Sequence, residues 1–213
     1  MFIIFIEIIA ASMFFSAIIC SEFDKKTGFI VFPKINKYKL IVGKYFGNLI
    51  LVLIIITVYY LLIGFMGLFY YEGETSIRIF YSYGIALLYI SALSSFVTFF
   101  SSFLKSVNAT IVITFILLLF GFLLIDQVVA LIFAEKVEPL YSLAHLGNLI
   151  VAILQDPFPN PRYTAYPFDP TNPDAGSMVS WITPSIGMGI TMMLLIFVLF
   201  FTLAALLFKR RQL

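Results

Sequence analysis

Long apolar runs separated by short polar segments divide this chain along its whole length. The runs are about 20 residues long or longer, which is the length of a membrane-spanning helix, and none shows the two-residue alternation of a half-buried strand. Because only helices and closed barrels satisfy the backbone in lipid, we predict an all-α integral membrane protein with one transmembrane domain. The predicted bundle has about five transmembrane helices, at residues 1–20, 44–70, 79–104, 108–133 and 181–208.

The segment 134–180 interrupts this pattern before the last span. Residues 138–154 place apolar side chains at helical spacing but are too short and too polar for a span, which indicates an interfacial or re-entrant helix. Six of the nine prolines fall within residues 156–174. Since proline removes a backbone donor and interrupts helices, we predict an extended, partly polyproline-II loop there.

The composition agrees with a membrane protein. Hydrophobic residues make up 62% of the 213 residues and charged residues 11%, against about 25% charged in soluble domains. The mean hydropathy is +1.08. A net charge of +2 gives no indication of a nucleic-acid partner, and Cys20, the one cysteine, cannot form an intrachain disulfide.

Basic residues predict which side of the membrane each polar segment faces. Ten of the 13 Lys and Arg lie in the segments 21–44, 105–108 and 209–213, whereas the opposite side has three. The positive-inside rule therefore makes the loop 21–43 and the tail 209–213 cytoplasmic, in a multi-pass protein of the cell membrane. Met1 is then outside and begins directly in a span, so we expect a further helix before it, supplied by a longer chain or by a partner.

Two acidic residues and a group of serines are candidates for a polar path or for contacts between helices. Glu7 lies within the first span, where a charge is costly and often functional. Asp126 lies near the outer end of the fourth span, where solvation at the interface is the favoured alternative. Ser94 and Ser95 belong to a small polar cluster in the third span, and close helix packing is the favoured alternative for them. His145 is interpreted as an interfacial histidine rather than a ligand or a pH sensor.

Catalytic and nucleotide-binding motifs are absent from the sequence. One His and one Cys form no metal cluster, and Gly43-Lys44 lacks the upstream glycine and the hydroxyl residue of a P-loop. We therefore predict no catalytic residue, no metal site and no cofactor bound by this chain.

The segment 21–44 gathers six lysines around an apolar run. Charge alone predicts a topological anchor, or a contact with anionic lipid headgroups. The order of the residues indicates more, because the apolar run Phe29–Phe32 is followed by Pro33 and then by Lys34 and Lys37. That order suits a short cytoplasmic helix whose apolar side enters a groove on a protein partner while its lysines reach an acidic rim.

This loop resembles that of the ABC-2 type permeases, the membrane subunits of type-2 ABC exporters. Their loop has an acidic residue, a Thr-Gly pair, an apolar run, a proline and a basic segment before the next span. Two further similarities lie elsewhere in the chain. In residues 91–115 a span rich in small residues turns through a basic hinge into the next span, and an outer segment precedes the last span. This chain departs from the family at two points. The family usually has six spans, and its outer segment has fewer prolines.

The resemblance implies a coupling helix in the loop 22–40 on which a separate P-loop ATPase docks. The docking residues that it implies are Glu22, Lys26, Thr27, Gly28, Phe29, Ile30, Phe32, Pro33, Lys34 and Lys37. ATP and Mg²⁺ would be bound by the ATPase, and two permeases, identical or different, would alternate between inward-open and outward-open states in the lipid bilayer. Two alternatives stand beside this one: a non-transporting scaffold that recruits another soluble partner through the same loop, and, less favoured, a secondary transporter.

Overall fold

The computed structural model describes residues 2–24, 37–70, 77–133, 138–167 and 177–210. Five helical segments in these residues are long and apolar enough to cross a membrane, as expected for a multi-pass membrane protein. The elements in chain order are α1 (Phe2–Phe15), α2 (Ala17–Asp24), α3 (Lys37–Tyr70), α4 (Arg78–Phe103), α5 (Val107–Ile116), a π-helical segment (Leu117–Gly121), α6 (Phe122–Phe133), α7 (Leu143–Ala152), β1 (Tyr163–Pro167), β2 (Ser177–Trp181) and α8 (Ile186–Arg210).

Each predicted span overlaps one of these five helical segments, and the largest differences lie at two helix starts. α3 begins at Lys37, seven residues before the predicted start, so its 34 residues are about 50 Å long and exceed the ~30 Å of a hydrocarbon core. The predicted start of the last span at residue 181 is wrong, because Trp181 ends β2 and the helix starts only at Ile186. Pro184 explains this, since the residue before a proline is disfavoured in helical conformation.

α4 is the central helix of the bundle. In its most apolar stretch 67% of the residues are buried, against 11% in α3 and 17% in α8. α8 packs along α4, where Phe96, Phe99 and Phe200 meet edge-to-face. The remaining spans cover other sides of α4 and leave their own outer faces exposed, as expected of helices whose outer neighbour is lipid.

The two ends of the bundle carry different structures. We call the end where α2 stops and α3 starts the loop end, because residues 25–36 connect those helices. We call the other end the hairpin end. There, β1 and β2 pair antiparallel, with Tyr163 opposite Trp181. This pairing corrects the predicted polyproline-II loop for the described residues 163–167. The helix predicted within 138–154 is present as α7, which lies at the hairpin end against α4.

Candidate functional site

The predicted docking loop falls largely in residues 25–36, outside the described residues. This holds for Lys26, Thr27, Gly28, Phe29, Ile30, Phe32, Pro33 and Lys34. Two of the predicted docking residues are placed: Glu22 lies in α2, and Lys37 is the first residue of α3. The loop therefore starts and ends on the two helices that form the loop end of the bundle.

An ion pair joins those two helices at the base of the loop. The Lys44 ammonium donates to the Glu22 carboxylate. Glu22 is only 6% exposed, whereas about a third of the Lys44 side chain is exposed. A charge-assisted hydrogen bond between groups with little water around them is stronger than one at an open surface. The pair therefore holds the end of α2 against the start of α3.

Further inside the bundle, Tyr45 links α3 to the serines of α4. The hydroxyl oxygens of Tyr45 and Ser94 are 2.6 Å apart, and Tyr45 itself is completely buried. Ser94 also donates to the Ser91 carbonyl, and Ser95 donates to the carbonyl of Ala92, in the same helix. Ser94 and Ser95 are fully buried, which is the arrangement of closely packed helices rather than of an open polar path. The tyrosine partner of Ser94 was not among the predicted residues.

Glu7 lies in α1 and is fully buried. Neither carboxylate oxygen has a hydrogen-bond partner among the described residues, and the same is true of the Tyr89 hydroxyl. The hydroxyls of Tyr60 and Tyr89 are close enough to the Glu7 carboxyl to interact with it electrostatically. A buried polar atom without a partner is unusual in a native fold and calls for an explanation beyond packing.

A groove of about 360 Å³ runs between α3 and α4 on the hairpin half of the bundle. Its polar lining consists of hydroxyl groups that already have partners: Thr57 is bonded to Tyr83 at 2.8 Å, and Tyr60 to Ser82 at 2.8 Å. The rest of the lining is apolar and includes Phe65. Tyr60 thus connects this groove with the region around Glu7.

Asp126 is placed at the hairpin end, where it accepts a hydrogen bond of 2.6 Å from the Ser142 hydroxyl. Asp126 is half-buried, so its side chain is neither fully exposed to solvent nor fully enclosed by the protein. Ser142 is the N-cap of α7, and its oxygen also accepts from the amide of His145. A single buried hydroxyl therefore connects the fourth span with the start of α7.

A second polar cluster links α7 to the β-hairpin. The Arg162 guanidinium donates to the Glu138 carboxylate at 2.8 Å and lies over the ring of Trp181. His145 Nε2 is 3.8 Å from the same carboxylate. Burial lowers the pKa of His145, and the nearby Glu138 charge opposes that shift. These contacts make His145 part of a packed polar cluster, in line with the structural interpretation of this residue.

Gly43 and Gly47 form a GxxxG pair near the start of α3. A Cβ at either position would meet no described atom within 4 Å. Among the described residues there is also no group of three His, Cys, Asp or Glu side chains that could hold a metal ion.

Replacing Ser142 by alanine is expected to destabilise the protein by about 1–2 kcal/mol, because the change removes the cap of α7 and the partner of Asp126. Ser106 provides a matched control, since it is the N-cap of α5 and its side chain makes no capping bond. Ser106→Ala is therefore expected to change stability much less. Thermal unfolding of both variants in the same detergent measures the difference, and equal losses would contradict this role of Ser142.

Comparison with known proteins identifies no relative, since no family model, no curated protein and no solved structure matches this chain.

Proposed function

We propose that this chain is the membrane subunit of an ATP-binding cassette transporter, of the exporter type. In this proposal the loop end faces the cytoplasm, and a separate P-loop ATPase docks on the coupling loop 22–40. A second permease, identical or different, completes the transport path. The chain contributes no catalytic group of its own, and ATP with Mg²⁺ is bound by the ATPase.

The observation that carries the proposal is the Glu22–Lys44 ion pair. It closes the base of the lysine-rich loop, so a force applied to the loop reaches α2 and α3 together rather than bending one of them. α2 also packs on α4, the central helix, through hydrogen bonds to Ser101. A soluble motor bound at the loop would thus act on three spans at once, which is the mechanical connection that alternating access requires.

The five apolar helices and the order of residues in the loop add support. Lys26, Lys34 and Lys37 flank the apolar residues Phe29, Ile30 and Phe32, an arrangement that matches a groove with an acidic rim. Glu7, a buried carboxyl without a hydrogen-bond partner among the described residues, is the best candidate for a polar group on the substrate path.

Co-purification tests the proposal. We expect a P-loop ATPase to co-purify with the chain from its own cells, and Phe32→Asp to reduce the amount bound at least tenfold, since a carboxylate would enter the apolar groove. Ile77→Asp, at an exposed position of the hairpin end, introduces the same charge and is expected to leave binding unchanged. If Phe32→Asp retains the ATPase and its vanadate-sensitive ATP hydrolysis, the loop is not the docking site. If a soluble protein of another class is bound, the scaffold alternative is favoured.

A further inference from the structure

The first span is broken at Ser16, between α1 and α2. Residues 2–24 contain neither proline nor glycine, so the residues that most often interrupt a helix do not cause the break. A side chain from another helix lies there instead. The hydroxyl of Ser101, on α4, donates to the Ser16 carbonyl at 2.7 Å. The Ser101 hydroxyl oxygen also accepts hydrogen bonds from the amides of Ile19 at 3.1 Å and Cys20 at 3.0 Å.

These three bonds use the full capacity of the Ser101 hydroxyl, which has one proton to donate and two lone pairs. Ser101 is completely buried, so water does not compete for them. In a regular helix the amides of Ile19 and Cys20 would donate to carbonyls four residues earlier. A hydroxyl inserted among these backbone groups is a known cause of a helix kink. The Ser101 hydroxyl, from the central helix, therefore replaces backbone partners at the break, where the Ser16 side chain also donates to the Ser12 carbonyl.

Two other serines of α4, Ser91 and Ser95, provide a comparison for this contact. Ser91 donates to the Leu87 carbonyl at 2.8 Å, and Ser95 donates to the Ala92 carbonyl at 2.8 Å. Both bonds stay within α4. Ser101, on the same helix, makes all three of its bonds to the backbone of the first span. It thus differs from Ser95 in what it connects, not in residue type or burial.

The fourth span also reaches the break. Cys20 Sγ donates to the Ser16 carbonyl at 2.8 Å, and Thr110, on α5, contacts that sulfur through its hydroxyl at 3.7 Å. α2 continues from the break to Asp24, directly before residues 25–36. Only the eight residues of α2 therefore separate the break from the lysine-rich loop.

We infer that Ser101 is a positioning residue of this membrane protein: its hydroxyl pins the break at Ser16 and so sets the direction in which α2 carries the lysine-rich loop. A force on the loop turns α2 about Ser16, and Ser101 transmits that turn to α4. The consequence for ATP-driven movement rests on the proposed function, whereas the pinning and the direction of α2 do not.

Amide hydrogen exchange on the purified full chain tests the pinning. In Ser101→Ala the amides of Ile19 and Cys20 lose their acceptor, and we expect them to exchange roughly five- to tenfold faster. Ser95→Ala is the matched control, a buried serine on the same helix whose bond is local, and it is expected to leave both amides as in the wild type. Ser101→Thr keeps the hydroxyl and is expected to restore slow exchange. If Ser101→Ala yields no monodisperse protein, Ser101→Cys, with its weaker thiol, serves for the same comparison.

Chemical cross-linking tests the direction of α2. Cysteines placed at Glu22 and Lys44, whose long side chains meet in the native protein, are expected to cross-link readily with a short bifunctional thiol reagent in the wild-type and Ser95→Ala backgrounds. In the Ser101→Ala background we expect at least a fivefold slower cross-link. Unchanged exchange in Ser101→Ala, or equal acceleration in Ser95→Ala, would overturn the pinning, and a cross-link as fast as in the wild type would overturn the positioning role. Both measurements use this chain alone, so they hold whether or not an ATPase docks on the loop.

Discussion

Replacing Glu7 by methionine is expected to stabilise the protein by about 1–4 kcal/mol, because the change removes a buried carboxyl whose oxygens have no hydrogen-bond partner among the described residues. Methionine has nearly the same length and no polar atom to bury. For a protein of this size the gain corresponds to a rise in Tm of roughly 2–4 °C per kcal/mol. Thermal unfolding in detergent, followed by the fluorescence of the tyrosines and of Trp181, measures it.

Glu138→Met is the control for Glu7→Met. Glu138 is also a shielded carboxylate, but it accepts from Arg162 at 2.8 Å and lies near His145. Removing the Glu138 carboxylate takes away this partner of the Arg162 guanidinium, so we expect a loss of stability of about 1–3 kcal/mol. Stability changes of opposite sign in the two variants would show that the effect of removing a buried carboxylate depends on whether it has a hydrogen-bond partner. A destabilised Glu7→Met variant would contradict our description of Glu7.

A destabilising residue in the middle of a span points to a functional role, because stability is commonly sacrificed where activity requires it. In the proposed function, Glu7 acquires a polar partner only in another state of the transport cycle or from the substrate. Glu7→Met should then remain folded and retain the ATPase while transport is lost. Glu7→Gln separates the charge from the hydrogen-bonding capacity at this position.

Gly147→Ala is expected to destabilise the protein by about 1–3 kcal/mol, because α7 touches α4 at this glycine. A Cβ at Gly147 would lie 2.9 Å from both Cζ and the hydroxyl oxygen of Tyr89, and 3.4 Å from Ile4. The Tyr89 ring is completely buried, so moving it aside displaces the side chains packed around it. Either that ring or α7 must therefore shift, which disturbs the region around Glu7.

Gly84→Ala is the matched control for Gly147→Ala. Gly84 lies in α4, the helix that carries Tyr89, and a Cβ there would meet no atom within 4 Å. Alanine at this position is expected to be neutral or to stabilise by up to about 1 kcal/mol, since it reduces the backbone freedom of the unfolded chain. Equal effects of the two substitutions in thermal unfolding would show that α7 does not pack on Tyr89 as described.

The spans were predictable because they depend on local information. A run such as residues 79–104 must form a helix in lipid wherever its neighbours lie, and the observed helix is Arg78–Phe103. The same holds for α7, whose apolar residues follow helical spacing and whose cap, Ser142, is a preferred N-cap type. The helical pattern was visible, but the second bond of Ser142, to Asp126, depends on how two distant segments pack.

The features that escaped prediction arise from tertiary contacts. No proline or glycine around Ser16 marks a break, and the Ser101 hydroxyl that enters it lies 85 residues away in the sequence. Tyr45 was similarly overlooked as the partner of Ser94, since a tyrosine in an apolar run does not reveal what its hydroxyl meets. The β-hairpin escaped for a different reason: the prolines of the segment favoured an extended loop, although proline is tolerated at the edge of a two-stranded ribbon.

Photo-cross-linking from the loop tests the central claim most directly. A photoreactive phenylalanine analogue at Phe29, incorporated in the native cells, should capture one class of soluble protein, which mass spectrometry identifies by its sequence. The same analogue at Asp156, which is exposed at the hairpin end, is the control and should capture none of it. We predict a P-loop ATPase, cross-linked through the surface that receives the apolar run. Capture of a different class of soluble protein at Phe29, or of the ATPase equally from both positions, would contradict the assignment of this loop as the point where an ATPase drives the membrane subunit.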